Sequence, residues 1–177
     1  MRMIIAAALL LAPQWAFAAG SDDTEPPTPT ETTVECAKGE VWDEKTKACI
    51  KAESSLLDDD QRFGAVRELA YAGRADEALQ ILATMTEGET ARVLTYQGFL
   101  LRQTGRVEDG IAAYERAIAM DRGNILARSY YGQLLVQMDE KEAAQLQLAA
   151  IRMVGGGGTW AERSLAEAIA TGVTYTY

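Results

Sequence analysis

The 177 residues include no histidine, and that absence excludes more chemistry than any motif present supplies. Ser–His and Cys–His nucleophilic machinery, histidine metal sites and histidine phosphorelays all need an imidazole. No P-loop and no dinucleotide-type Gly-x-Gly-x-x-Gly occurs. The one glycine-rich run, Gly155 to Gly158, is followed by Thr159-Trp160 rather than by Lys-Ser/Thr, so it suits a hinge and not a phosphate cradle. Nothing singles out two carboxylates for acid–base work. The sequence therefore points away from an enzyme and implies no cofactor and no metal. Basic residues are outnumbered 17 to 26, for a net charge of −9, and they form no block. Such a chain is a poor match for nucleic-acid phosphates or an anionic membrane surface.

Cysteine and proline are scarce, and their few positions divide the chain. Met1-Arg2, the apolar run Met3 to Ala12 and Ala16-Phe17-Ala18 have the order of a secretory signal peptide over residues 1–18. The apolar run is shorter than the ~20 residues that span a bilayer, so no membrane span is expected after cleavage. Residues 19–34 are rich in Thr, acids and proline, with Pro26, Pro27 and Pro29 close together. Such a segment has little to bury and suits an extended linker. Cys36 and Cys49 are the only two cysteines, and an exported chain with one even pair is expected to join them. Residues 35–50 are then a disulfide loop displaying Trp42. Redox-active thiols are a poor alternative, because the spacing is not Cys-x-x-Cys.

From residue 55 onward the pattern is helical, and it repeats. Tyr71-Ala-Gly-Arg-Ala-Asp-Glu-Ala-Leu and Gln103-Thr-Gly-Arg-Val-Glu-Asp-Gly-Ile match in register. Gln137-Met-Asp-Glu-Lys-Glu-Ala-Ala-Gln takes the same place with Asp139 instead of glycine. Gly73, Gly105 and Asp139 are 32 and 34 residues apart. Small residues recur at Gly98 and Gly132 and at Ala78, Gly110 and Ala144, and bulky ones at Leu82, Tyr114 and Leu148.

This register resembles the tetratricopeptide-repeat (TPR) family, whose unit is a helix–turn–helix of about 34 residues. The best copy is residues 91–124; residues 125–157 match well, and residues 59–90 are degenerate, with Val66 at a position that favours a small residue. The closing proline of the family is absent, Arg122 standing in its place. The resemblance implies an all-α fold: about three stacked helix pairs over residues 55–158, a short superhelix, and a capping helix and tail over residues 159–177. Thr159 and Glu162 have the spacing of a capping box. The alternation of Val173-Thr-Tyr-Thr-Tyr177 is strand-like and suits an ordered or frayed terminus, or a peptide docking on a sheet edge elsewhere.

The family's function implies a groove for a protein or peptide partner of unknown identity. Carried over copy by copy, the groove positions select Asp60, Phe63, Arg67, Ala70 and Tyr71, then Arg92, Thr95, Phe99, Arg102 and Gln103, then Leu126, Ser129, Gln133, Val136 and Gln137. Arginine forks beside aromatics suit a segment carrying acids and apolar anchors; the competing expectation is that the aromatics pack between helices and the arginines pair with neighbouring acids. The Cys36–Cys49 loop also resembles part of small chitin-binding-type carbohydrate modules, which implies an alternative: glycan contact, peptidoglycan included, through Trp42. Against that stands a stapled knob that seals the first repeat. Together these expectations describe a periplasmic scaffold or adaptor, oligomeric state open.

Overall fold

A computed structural model describes residues 30–175. The expected signal peptide at 1–18, the linker up to residue 29, and Thr176 and Tyr177 lie outside the described residues. Within them the chain is mostly helical. Its elements are α1 (Glu31–Val34), β1 (Glu40–Asp43), β2 (Ala48–Lys51), α2 (Asp59–Tyr71), α3 (Ala75–Leu82), α4 (Ala91–Gln103), α5 (Val107–Met120), α6 (Ile125–Gln137), α7 (Lys141–Met153) and α8 (Trp160–Thr171). The helices pack as α2 on α3, α4 on α5 and α6 on α7, with α8 against both α6 and α7.

Local chemistry explains why the helices start and stop where they do. The first helix of each pair is capped by a side chain: Asp58 accepts from Gln61, Thr90 from Val93 and Asn124 from Ala127. Each satisfies a backbone N–H that the first turn leaves without a partner. The end of that helix is closed by one repeated turn. Gly73, Gly105 and Asp139 all have positive φ (72°, 79° and 62°). The next residue, Arg74, Arg106 or Glu140, donates its N–H to the carbonyl five positions back, on Leu69, Leu101 or Leu135. This is a Schellman closure, which favours glycine because it lacks a Cβ. Gly155 (φ 86°) repeats it after α7. The glycine run is thus an ordered turn rather than a hinge. A Cβ on Gly156 would sit 2.7 Å from Ile151 and 2.9 Å from Ile125.

Glycine also sets how closely the pairs pack. A Cβ on Gly98 would lie 2.7 Å from the Tyr114 ring, and one on Gly110 would lie 3.1 Å from the Gly98 carbonyl. So α4 and α5 meet nearly backbone to backbone. Gly132 plays the same part toward Leu165 of α8, 2.6 Å from where its Cβ would be. The core runs continuously from Val41, Ala52 and Leu57 through Phe63, Leu69 and Ile81 to Tyr96, Phe99, Tyr130 and Leu134.

Two expectations need correction at the N-terminal end. The cysteine loop is not irregular: β1 and β2 pair antiparallel, with Trp42 opposite Cys49, so the fold is not strictly all-α. Val41, Trp42 and Ile50 favour extended backbone, and Asp43 secures the turn by accepting from Thr46 N–H, Thr46 Oγ1 and Lys45 N–H. The expected pair does form a disulfide, Cys36–Cys49, with Cα atoms 5.4 Å apart. The last residues of the presumed linker are ordered too. Thr30 caps α1 and donates from its N–H (2.8 Å) and hydroxyl (2.9 Å) to Glu68 of α2. Gln61 donates to Asp43, Arg62 to the Ala52 and Ser54 carbonyls, and Arg74 to the Thr33 carbonyl. Residues 30–54 are therefore bound to the first helix pair as a cap.

Candidate functional site

The face formed by α2, α4 and α6 carries every residue expected to line the groove, and most of it is not an open groove. Phe63, Thr95, Phe99, Ser129 and Gln133 are buried. An aromatic ladder runs beneath the face. Phe63 meets Tyr96 edge-on at 5.1 Å, Tyr96 lies 6.3 Å from Tyr130, Phe99 lies 4.7 Å from Tyr130, and Tyr130 meets Trp160 at 6.2 Å. Phe63 and Phe99 are thus packed into the core, as the competing expectation had it. Tyr96 and Tyr130 were not singled out from the sequence, although their spacing of 34 residues carried the signal. Burial pushes the Tyr96 hydroxyl up to about 12, which keeps it a neutral hydrogen-bonding group.

The three arginines divide by surroundings. Arg67 is buried and its Nε donates to Tyr96 Oη at 3.2 Å. Arg92 stands at the rim, with Nε and Nη2 on Glu87 (2.8 and 2.9 Å), Nη1 on Asp60 (2.7 Å) and its guanidinium 4.8 Å above the Phe63 ring. The Glu87 carboxylate raises its already high pKa further, joined by Asp60 against the opposing effect of burial. Arg102 is 9% exposed. Its Nε donates to Gln137 Oε1 at 3.0 Å and its Nη1 to the Tyr130 carbonyl at 3.4 Å. Tyr71 and Gln103 are half-buried at the C-terminal ends of α2 and α4.

What covers the α6 part of the face is the C-terminal end of the chain itself. Ser129 Oγ donates to the Ala161 carbonyl (2.8 Å) and Gln133 Nε2 to Ser164 Oγ (2.9 Å), both on α8. Gly172, at φ 74°, then ends α8, and residues 173–175 cross the face outside any helix or strand. Tyr175 N–H donates to Gln133 Oε1 (3.1 Å), and Arg102 Nη2 donates to the Tyr175 carbonyl (3.4 Å) and Thr174 Oγ1 (3.4 Å). Gln137 Nε2 donates to Thr174 Oγ1 (2.6 Å). The Tyr175 ring lies 6.3 Å from Trp160, and its hydroxyl donates to Glu167 (2.7 Å). Gln137, Trp160, Thr174 and Tyr175 thus join Arg102 and Gln133 in one site. Arg102, Gln133 and Gln137 were expected on this face; Trp160, Thr174 and Tyr175 were not, because contact with a distant tail leaves no mark on repeat spacing.

No known protein family, curated protein or solved structure matches this chain. Its own geometry is the basis for a functional reading. Toward the N-terminal ends of α4 and α6, away from the tail site, the same face opens into a cleft of about 260 Å³ lined by Phe63, Arg92, Thr95, Asp121, Asn124 and Leu126. A second cleft, about 350 Å³, lies between the sheet and α2. Trp42, Thr32, Lys45, Gln61 and Glu68 line it. Trp42 is half-buried, and its Nε1–H donates to Glu44 (3.1 Å). Among the described residues no cluster of His, Cys, Asp and Glu is placed to hold a metal, and no helix is long and apolar enough to cross a membrane.

Proposed function

We propose that this chain is an exported TPR-like scaffold whose α2–α4–α6 face holds an extended segment of a protein partner. The observation that carries the reading is the way the face already holds one non-helical segment by its main chain. Gln133 accepts from the main-chain N–H of Tyr175, and Arg102 donates to its carbonyl. Side chains that bind main-chain groups hold a peptide whatever its sequence, as the added strand of β-augmentation is held. The free part of the face, with Arg92 at its rim and the adjoining cleft, leaves room for further residues of a bound segment. The repeated turns at Gly73, Gly105 and Asp139 and the close approach at Gly98 support the TPR-like assignment. The paired cysteines and the signal-like N-terminus support export to an oxidising compartment such as the periplasm.

The test is crosslinking of the purified chain in periplasmic extract, beside an Arg92→Ala/Gln137→Ala variant whose circular dichroism is unchanged. Arg92 is partly exposed and Gln137 exposed, so the fold should survive. A prey held by the first protein and reduced at least about tenfold with the variant fits loss of two contacts worth ~1 kcal/mol or more each. Equal recovery of every prey would move the binding face elsewhere. The second reading, glycan contact through Trp42, is favoured by the 350 Å³ cleft that this ring lines with hydroxyl, amide and carboxylate groups. It requires Trp42→Ala to abolish sedimentation with peptidoglycan sacculi while partner capture is unchanged.

A further inference from the structure

Residues 173–175 occupy the same polar side chains that the proposed function assigns to a partner. Thr174 and Tyr175 engage Arg102, Gln133 and Gln137 on α4 and α6, far from them in sequence, and no linker separates the tail from α8. Yet little of the tail is buried: Val173 is 70% exposed and Tyr175 40%. A segment held mainly by hydrogen bonds, with so little apolar area removed from water, has a modest intrinsic affinity. Tethering compensates, because a short connection gives an effective concentration in the millimolar range. Such a segment can be expelled by a tighter ligand.

We propose that the C-terminal tail is an intramolecular latch on the binding face, displaced by a partner segment of the same chemistry: a non-helical stretch with a hydroxylated residue followed by an aromatic one. This rests on the scaffold reading and adds to it both a specificity and a control. Gln133 and Arg102 take the N–H and carbonyl of the incoming aromatic residue. Gln137 and Arg102 take the hydroxyl before it, as they do for Thr174. Trp160 receives the aromatic ring, and Glu167 accepts from a tyrosine hydroxyl. Because tail and partner compete, the apparent affinity for the partner falls by the fraction of molecules whose latch is closed.

The probe is a fluorescein-labelled peptide with the sequence of residues 171–177, followed by anisotropy. It is titrated into the purified protein and into the full-length variant Thr174→Ala/Tyr175→Pro. That variant removes the hydroxyl and the N–H that hold the tail and leaves α8 and its Gly172 cap intact. The peptide is expected to bind the variant at least about tenfold more tightly than the unsubstituted protein. Adding Gln137→Ala to the variant, at an exposed position, should reverse much of that gain. Equal affinity for both proteins, or binding to neither, overturns the latch. So does a dimer of the unsubstituted protein that the variant dissociates, since the tail would then serve a second copy. These outcomes are separable from failure of the scaffold reading. A partner captured equally by latched and unlatched proteins, yet lost with Arg92→Ala/Gln137→Ala, removes the latch and keeps the face.

Discussion

At residue scale, Asp139 departs from the glycines it matches. Gly73, Gly105 and Asp139 share one left-handed turn conformation, and a side chain there costs about 1–2 kcal/mol, less for aspartate than for most residues. Glycine recovers part of that cost but loses some to the greater freedom of the unfolded chain. Asp139→Gly should therefore raise stability by about 0.5–1 kcal/mol, or roughly 2–3 °C in melting temperature. A thermal melt followed by circular dichroism checks it, and an unchanged or lower midpoint would mean that Asp139 makes a compensating contact. Titrating groups at the N-terminal cap give a second residue-scale expectation. For Asp59, burial raises the pKa, but Thr86 N–H, Thr86 hydroxyl, Glu87 N–H and Arg62 together hold it below 3.8. The Thr46 hydroxyl, above all, lowers that of Asp43, and Arg74 lowers that of Glu77. Groups with lowered values stabilise the fold above their unfolded pKa, and that contribution is lost as pH falls through the lowered value. Glu68 is the reverse: burial raises it, and its stabilisation is present below 4.5 and lost as pH rises through its raised value. The melting temperature should hold or rise slightly as pH falls toward 4.5 and then drop, first as Glu77 and then as Asp43 and Asp59 pass below their unfolded values of 4.5 and 3.8. Glu68→Gln should abolish the rise; a rise that persists would assign it to another group.

At element scale, the paired strands and the disulfide act as one clip on α2. The bond closes a span of 13 residues, for which the chain-entropy estimate is about 3 kcal/mol. Val41 is buried in the main core, so the clip carries packing as well as covalent constraint. Cys36→Ser/Cys49→Ser is expected to lower stability by about 2–3 kcal/mol. Amide exchange should quicken in α2 and α3 and stay slow in α8. Uniform acceleration along the chain would show that the clip supports the whole fold. The elements differ in how legible they were. Thr159 stood out as the cap of α8 and does accept from Glu162 N–H, but the Glu162 side chain turns to Arg152 (2.8 Å) instead of completing a capping box. The full capping box is Asp58 with Gln61 at α2. It was missed because Asp58, Asp59 and Asp60 are adjacent and only backbone geometry selects one as the cap.

At the scale of the whole molecule, helix pairs stacked in a row leave an apolar face at each end unless something covers it. Residues 30–54 cover the first pair, and α8 with the tail covers the last. The sequence by itself determined the turn positions at Gly73 and Gly105, the close approach at Gly98, the largely helical character beyond residue 55 and the cysteine pairing. The turns and small positions are legible because φ preference, side-chain volume and periodicity act over a few turns of chain, and the pairing because there are only two cysteines. Only the tertiary structure decided that Phe63 and Phe99 are core, that Ser129 and Gln133 face α8, and that Arg102 holds the C-terminal tail. Those outcomes depend on contacts between residues as much as 73 positions apart, where burial and hydrogen-bond satisfaction are settled by which surfaces meet.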